Sequence, residues 1–198
     1  VADDQGNFYL TGNFAKTADF EPGPGQTLLS APSGGSAYVL KLDANANLAW
    51  ARQIGPAVMG GSAERASIVA RGIGIDVNGA VYTIGDFAGT IDFDPSNGQR
   101  IIDVDKSGNT PALPGQLEPS DTYVHKLDAD GNFVQVSHFG GEDGTSLAHD
   151  MAVDAAGAIS ITGAYGGFVD LNPTSGAFRR STEHHRNDSN VFLVKLLP

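Results

Sequence analysis

The sequence contains no cysteine, and it has little tryptophan, methionine or basic residue content. Without cysteine, the chain has no disulfide framework, no thiol nucleophile and no cysteine-ligated zinc cluster. Only 12 lysine and arginine residues stand against 23 acidic ones, which gives a net charge of −11. Because phosphate backbones bind through clustered basic side chains, nucleic acid is not an expected partner.

Long apolar runs are also absent from the 198 residues. None approaches the ~20 residues that a helix needs to cross a bilayer, so we expect no membrane span. The length suits one domain, residues 1–198, with a sizeable core.

What the sequence does contain is one pattern that occurs three times. Each copy begins with an aspartate, has a turn glycine or its equivalent soon after, and closes on a second glycine. These blocks are followed by an acidic corner and then by an apolar segment ending in Lys-Leu. The anchors of the pattern are Gly12, Gly85 and Gly163, then Asp19, Asp92 and Asp170, then Lys41, Lys126 and Lys195. Repetition sets the architecture, and the unequal spacing between anchors places the variation in loops.

Each repeat is composed of short strands. The second repeat shows alternating apolar residues, then Asn78-Gly79, which strongly favours a hairpin turn. Its four predicted strands cover residues 73–77, 80–87, 122–128 and 132–139. Four antiparallel strands joined by tight turns form the blade of a β-propeller. The predicted fold class is therefore all-β, a β-propeller with about three four-stranded antiparallel blades.

Several repeated residues have a packing interpretation. The anchor glycines lie inside strands, where glycine is costly unless another backbone approaches, and we expect blade-on-blade packing to supply that approach. Large apolar residues after the acidic corners should fill the space between blades; they are Phe20, Phe93 and Leu171. In the first repeat Asn45-Ala46 replaces the Asp-Gly of the equivalent turn, so we expect a looser hairpin there.

The pattern resembles the bacterial SBBP repeat family, named for a seven-bladed β-propeller. Its members read roughly Asp-x-x-Gly-Asn-Val-Tyr-Val-Thr-Gly, then Asp-Phe-Asp-Pro-Gly, then Phe-Val-x-Lys-Leu-Asp-x-x-Gly-Asn-x-x-Trp. The first repeat matches almost throughout, including the corner at residues 19–23 and Trp50. The second lacks the tryptophan and has Gln135 or Val136 there. The resemblance implies an extracellular or cell-surface protein without assigned chemistry.

The three repeats correspond to blades of about 1–55, 69–140 and 149–198, the last of them incomplete. Closed propellers have roughly 4–8 blades, and three blades leave open faces and unpaired strand edges. We therefore expect the chain to be part of a larger ring, or to be completed by other copies of itself.

A candidate calcium site lies in the long insertion of the second repeat. Oxygen-bearing residues occupy the first, third, fifth and seventh positions of a loop with glycine sixth, as hard cations prefer. They are Asp103, Asp105, Ser107 and Asn109. The twelfth position, where a bidentate glutamate belongs, is Pro114, so Glu118 or Asp121 would have to substitute. The alternative is a solvated polar turn.

The remaining polar features favour structural roles. Aspartates at the acidic corners and near the strand ends, Asp3, Asp76 and Asp154 among them, are expected to cap turns rather than to bind a metal. His125, His138, His149 and the pair His184-His185 show no recurring spacing. Catalytic motifs such as Gly-x-Ser-x-Gly are absent.

Three functions are compatible with this sequence. The leading hypothesis is a non-enzymatic interaction module that binds a protein, matrix or glycan partner through insertions at 23–36, 96–120 and 174–189, expected on one face. The second is a structural protein whose open edges pair between copies. The third is a propeller-type glycan-active enzyme with convergent carboxylates on its innermost strands.

Overall fold

A computed structural model describes residues 1–57, 66–96, 98–104, 120–141, 144–173, 176–182 and 189–197. These residues form strands and turns, with no helix among them, and every strand pairing is antiparallel. The all-β class is therefore confirmed. The propeller arrangement and the number of blades stay predictions.

Fifteen strands are present in the described ranges, and they repeat the same order of pairing three times. We call the three groups unit one, unit two and unit three. Unit one contains β1 (Phe8–Phe14), β4 (Ser36–Leu42) and β5 (Leu48–Pro56), with a small hairpin of β2 (Thr17–Asp19) and β3 (Leu28–Ser30) inserted after β1.

Unit two is a four-stranded meander. It contains β6 (Ser67–Ile75), β7 (Val81–Asp92), β9 (Asp121–Leu127) and β10 (Phe133–Phe139). The far end of β7 extends past the sheet and pairs with β8 (Ile101–Val104). The predicted strands at 80–87, 122–128 and 132–139 are confirmed, although β7 continues to Asp92. The strand predicted at 73–77 is correct only in part, because β6 begins at Ser67 and ends at Ile75, and Val77 lies in the turn that follows.

Unit three repeats the order with three strands in the described part of the chain. These are β11 (Thr145–Val153), β12 (Ile159–Gly166) and β15 (Asn190–Leu196). A hairpin of β13 (Phe168–Asp170) and β14 (Arg179–Ser181) follows β12, in the place that β2–β3 and β7–β8 hold in the other units.

Unit two lies between the other two, and its sheet is covered on both faces. Two apolar cores result, because successive side chains of a strand point to opposite faces. One core joins units one and two and includes Val39, Trp50, Val81, Phe87, Phe93 and Tyr123. The other joins units two and three and includes Tyr82, Ile84, Val124, Ile161, Leu171 and Phe192.

The reason why the anchor positions require glycine differs from the one that the sequence suggested. Each lies directly opposite an aromatic residue on the neighbouring strand of its own sheet: Gly12 faces Tyr38, Gly85 faces Tyr123 and Gly163 faces Phe192. A Cβ at Gly12 would lie 2.8 Å from the Tyr38 ring, and one at Gly85 would lie 2.8 Å from the Tyr123 ring. At Gly85 and Gly163 a backbone carbonyl also approaches closely, that of Val69 and that of Leu147. The expectation that another blade supplies this approach was wrong, because the ring and the carbonyl both belong to neighbouring strands of the same unit.

Candidate functional site

A groove of about 510 Å³ runs between unit one and unit two. One wall is β5, and the other is the corner that follows β7. The lining residues are Leu29, Ala51, Arg52, Gln53, Gly55, Pro56, Asp92, Asp94, Pro95, Ser96 and Asn132. The groove thus contains residues from the inserted hairpin of unit one and from the corner of unit two.

Backbone pairing between the units places the corner beside β5. Gly55 pairs with Asp92 and Pro56 with Ile91, and the Ala57 N–H donates to the Thr90 carbonyl at 3.0 Å. A similar bridge joins unit two to unit three, where Gly140 pairs with Asp170. The junction between units is therefore a recurring feature, and the groove lies beside the first instance of it.

The corner keeps its shape through an aspartate that caps two backbone donors. The Asp92 Oδ1 atom accepts from the Asp94 N–H at 3.0 Å and from the Arg100 N–H at 2.9 Å. Asp94 in turn accepts from the Ser96 N–H at 2.9 Å. Short aspartate side chains stabilise such turns by replacing a backbone acceptor, so two carboxylates become fixed at the wall of the groove.

Arg52 closes one end of the groove and holds a turn of unit two. Its Nε donates to the Gly131 carbonyl at 2.8 Å and its Nη2 to the Asp130 carbonyl at 2.9 Å. The guanidinium lies 5.5 Å from the centre of the Trp50 ring, whose Nε1 donates to the Ala129 carbonyl at 3.2 Å. The cation is thus bound to carbonyl oxygens, and the described lining carries two carboxylates against this one guanidinium.

The equivalent corners of units one and three confirm the capping interpretation. Asp19 accepts from the N–H groups of Glu21 and Thr27, and Asp170 accepts from those of Asn172 and Phe178. Backbone donation from Thr27 lowers the pKa of Asp19, and donation from Phe178 lowers that of Asp170. These carboxylates stabilise their own corners.

The aspartates near the strand ends act in the same way. Asp3, Asp76 and Asp154 each accept from two backbone N–H groups of the following turn, at 2.9–3.1 Å. Asp43 and Asp128 do so in the second hairpin of units one and two. The prediction that these are turn residues is confirmed.

The predicted calcium loop lies mostly outside the described residues. Asp103 is in β8, where the Thr90 hydroxyl donates to its Oδ1 at 3.1 Å. Asp105, Ser107, Asn109, Pro114 and Glu118 are outside the described ranges. Asp121, the other substitute ligand, is buried in β9 and lies 3.0 Å from His138 Nδ1. Within the described ranges no group of three or more histidine, cysteine, aspartate or glutamate side chains is placed to hold a metal ion.

The histidines separate into different environments. His125 is fully buried, its Nε2 lies 2.9 Å from the Phe93 carbonyl, and burial lowers its pKa to about 4. It is therefore neutral at pH 7, with Nε2 as the donor because a carbonyl oxygen only accepts. His149 is exposed on β11, and the pair at 184–185 falls outside the described residues.

Sequence reasoning missed a set of contacts that connects the units at the residue after each anchor glycine. Asn13 Oδ1 accepts from the Ala70 N–H at 2.9 Å, and Asp86 Oδ1 accepts from the Ala148 N–H at 2.7 Å. The two donors lie at irregularities of β6 and β11, where the ladder shifts. Asp86 also pairs with Arg71 at 2.8 Å, and burial raises the pKa of this carboxyl. The recurrence of a polar residue after Gly12 and Gly85 was the available signal.

Comparisons with known proteins do not assign the chain. No protein-family model and no curated protein matches it. The resemblance to SBBP repeats therefore stays a prediction. Among the described residues, no helix is long and apolar enough to cross a membrane.

Proposed function

We propose that the chain is a three-unit segment of a β-propeller that serves as a non-enzymatic interaction module of a secreted or cell-surface bacterial protein. The compartment and the source rest on the SBBP resemblance alone. The arrangement of the strands supports the propeller, since unit two is a four-stranded meander packed face to face between two similar sheets.

The observation that carries the binding function is the groove between units one and two. It brings residues of the inserted hairpin of unit one next to the corner of unit two, and its lining includes Asp92 and Asp94. Concave sites in which a few polar groups are held in fixed positions are typical binding sites. This arrangement favours a binding module over the glycan-active enzyme, because Asp3, Asp76 and Asp154 each accept hydrogen bonds from the backbone of their own turn.

The charge of the groove favours a protein partner with a cationic segment. The described lining carries two carboxylates, Asp92 and Asp94, against the one guanidinium of Arg52, and the whole chain carries −11. Complementary charge accelerates encounter and selects partners. A glycan is the alternative partner, and the two differ in the salt dependence of binding, since only the charged contact weakens strongly with ionic strength.

An array of extracellular-matrix proteins and matrix glycans tests the proposal. The variant Ala51→Arg fills the groove and adds a repelling charge, and Ala156→Arg makes the same change on an exposed turn of unit three. We expect a probe that the wild type and the control bind equally and that Ala51→Arg binds at least tenfold more weakly. Failure to bind any probe, or equal binding by all three proteins, would contradict the groove as the site.

A further inference from the structure

Equivalent positions of the three units differ in exposure in one consistent way. The aromatic residues opposite the anchor glycines are Tyr38, Tyr123 and Phe192. The residue that follows each of them is Val39 in unit one, Val124 in unit two and Leu193 in unit three. Val39 and Val124 are buried against the next unit, whereas Leu193 is 73% exposed. The residue before the aromatic ring behaves likewise, since Val191 is 85% exposed where its counterparts Ala37 and Thr122 are buried.

The first unit shows the complementary exposure on its opposite face. Two of its apolar side chains on β1, Phe8 and Leu10, are 45% and 41% exposed. Their counterparts in unit two are Val81 and Thr83, and those in unit three are Ile159 and Ile161. All four are buried, and Val81, Ile159 and Ile161 belong to the core shared with the preceding unit. The chain therefore carries both halves of a contact that it already makes twice internally.

We propose that the outer face of unit three docks onto the outer face of unit one in a second copy of this chain. The contact would centre on Val191 and Leu193 of one copy and on Phe8 and Leu10 of the other. Because the two faces are different surfaces, the contact is heterologous and joins copies head to tail. The inference rests on the proposed propeller arrangement and identifies a second copy of the chain as the source of further blades. It does not depend on the groove.

The same comparison predicts that this contact is weaker than the internal ones. The side chains of Asn13 and Asp86 each accept a hydrogen bond from the next unit, and the equivalent residue of unit three is Ala164, whose side chain has no acceptor. Ser160 likewise stands where Tyr9 and Tyr82 are buried against the next unit. Association between copies thus depends on the apolar side chains of β15, and we expect it in the micromolar range or weaker.

Sedimentation velocity at about 1 to 300 μM tests the proposal, with the chain of 20.5 kDa as the unit of mass. We expect the weight-average mass to rise with concentration for the wild type. Leu193→Asp should weaken association at least tenfold, because a charge would have to leave water at the contact. Val77→Asp is the matched control, since Val77 is also 73% exposed but lies in a turn of unit two.

A mixing experiment distinguishes head-to-tail docking from other contacts. Leu10→Asp blocks only the unit-one face, and Leu193→Asp blocks only the unit-three face. Each variant alone should remain monomeric at concentrations where the wild type begins to associate, whereas an equimolar mixture should form a dimer there, because each retains the face that the other lacks. A wild-type monomer throughout the range, or a mixture that stays monomeric while the wild type associates, would overturn the proposal. Folding of the variants is checked by their circular dichroism, and the matrix array reports separately on the groove.

Discussion

Unit two and unit three have the same strand order but different surroundings. Val124 and Leu193 occupy the same position and are both apolar, yet the first is buried and the second exposed. By contrast, the glycine opposite an aromatic ring is retained in all three units. The comparison shows that features within a unit are set by its own strands, whereas burial of its faces is set by its neighbours, as expected for stacked repeats.

The largest effect should come from filling the space at an anchor glycine. In Gly85→Ala the new Cβ would collide with the Val69 carbonyl oxygen as well as the Tyr123 ring. We expect a loss of about 3 kcal/mol in the free energy of unfolding, since a backbone group cannot move aside as a side chain can. Urea unfolding measures it.

The comparison is sharpened by the same substitution in unit one. Around Gly12 the nearest atoms all belong to the Tyr38 ring, which is only half-buried and can move. Gly12→Ala should therefore cost about 1 kcal/mol. Equal losses in the two variants would contradict the view that the Val69 carbonyl of β6 makes the site at Gly85 more restrictive than the site at Gly12.

A second large effect is acid destabilisation centred on His125. Unit one has Leu40 and unit three has Val194 at this position. Burial lowers the pKa of His125 from 6.5 to about 4 in the folded chain, so the unfolded chain binds the proton more tightly between these values. The associated stability is complete above pH 6.5 and is lost as the pH falls towards 4, by about 3 kcal/mol.

The pH dependence of two variants isolates this residue. His125→Leu should reduce the slope between pH 6.5 and 4 by the share that this histidine contributes, at the expense of the hydrogen bond to the Phe93 carbonyl. His149→Leu, the same change at an exposed histidine, is the control for the substitution itself. Chemical unfolding at intervals of half a pH unit measures both, and an unchanged slope in His125→Leu would rule out the buried histidine as the cause.

A smaller effect is expected at the contact between units two and three. Asp86→Ala leaves the buried Ala148 N–H without its acceptor and should cost about 2 kcal/mol. Asp86→Asn keeps an acceptor, as Asn13 does in unit one, and avoids the charge whose pKa burial raises. It should lose less than half as much in urea unfolding; a loss equal to that of the alanine variant would assign the effect to the ion pair with Arg71.

The strands and turns were predictable because their signals are local. Asn78-Gly79 and the alternation around it specify a hairpin without reference to other units. The contact of Gly85 with Tyr123 was not predictable, because Tyr123 follows a long insertion in the sequence and only the register brings the two residues together. The groove was not predictable for the same reason, because it depends on the pairing of Gly55 with Asp92 between units.

The smallest effect concerns the turn of unit one that carries alanine in place of glycine. Ala46 has a φ of 63°, and the four equivalent residues are glycines with φ from 78° to 84°: Gly6, Gly79, Gly131 and Gly157. The turn keeps the pattern of the others, with Ala46 N–H donating to the Asp43 carbonyl at 2.9 Å, so the chain retains the geometry in a strained conformation. Ala46→Gly relieves that strain but frees the unfolded chain, and the balance should stabilise by about 0.5 kcal/mol. Gly79→Ala, the reverse change in unit two, should destabilise by about 1 kcal/mol in the same thermal and urea measurements. If Ala46→Gly instead lowers stability, the greater freedom that glycine gives the unfolded chain outweighs the strain relieved in the native turn.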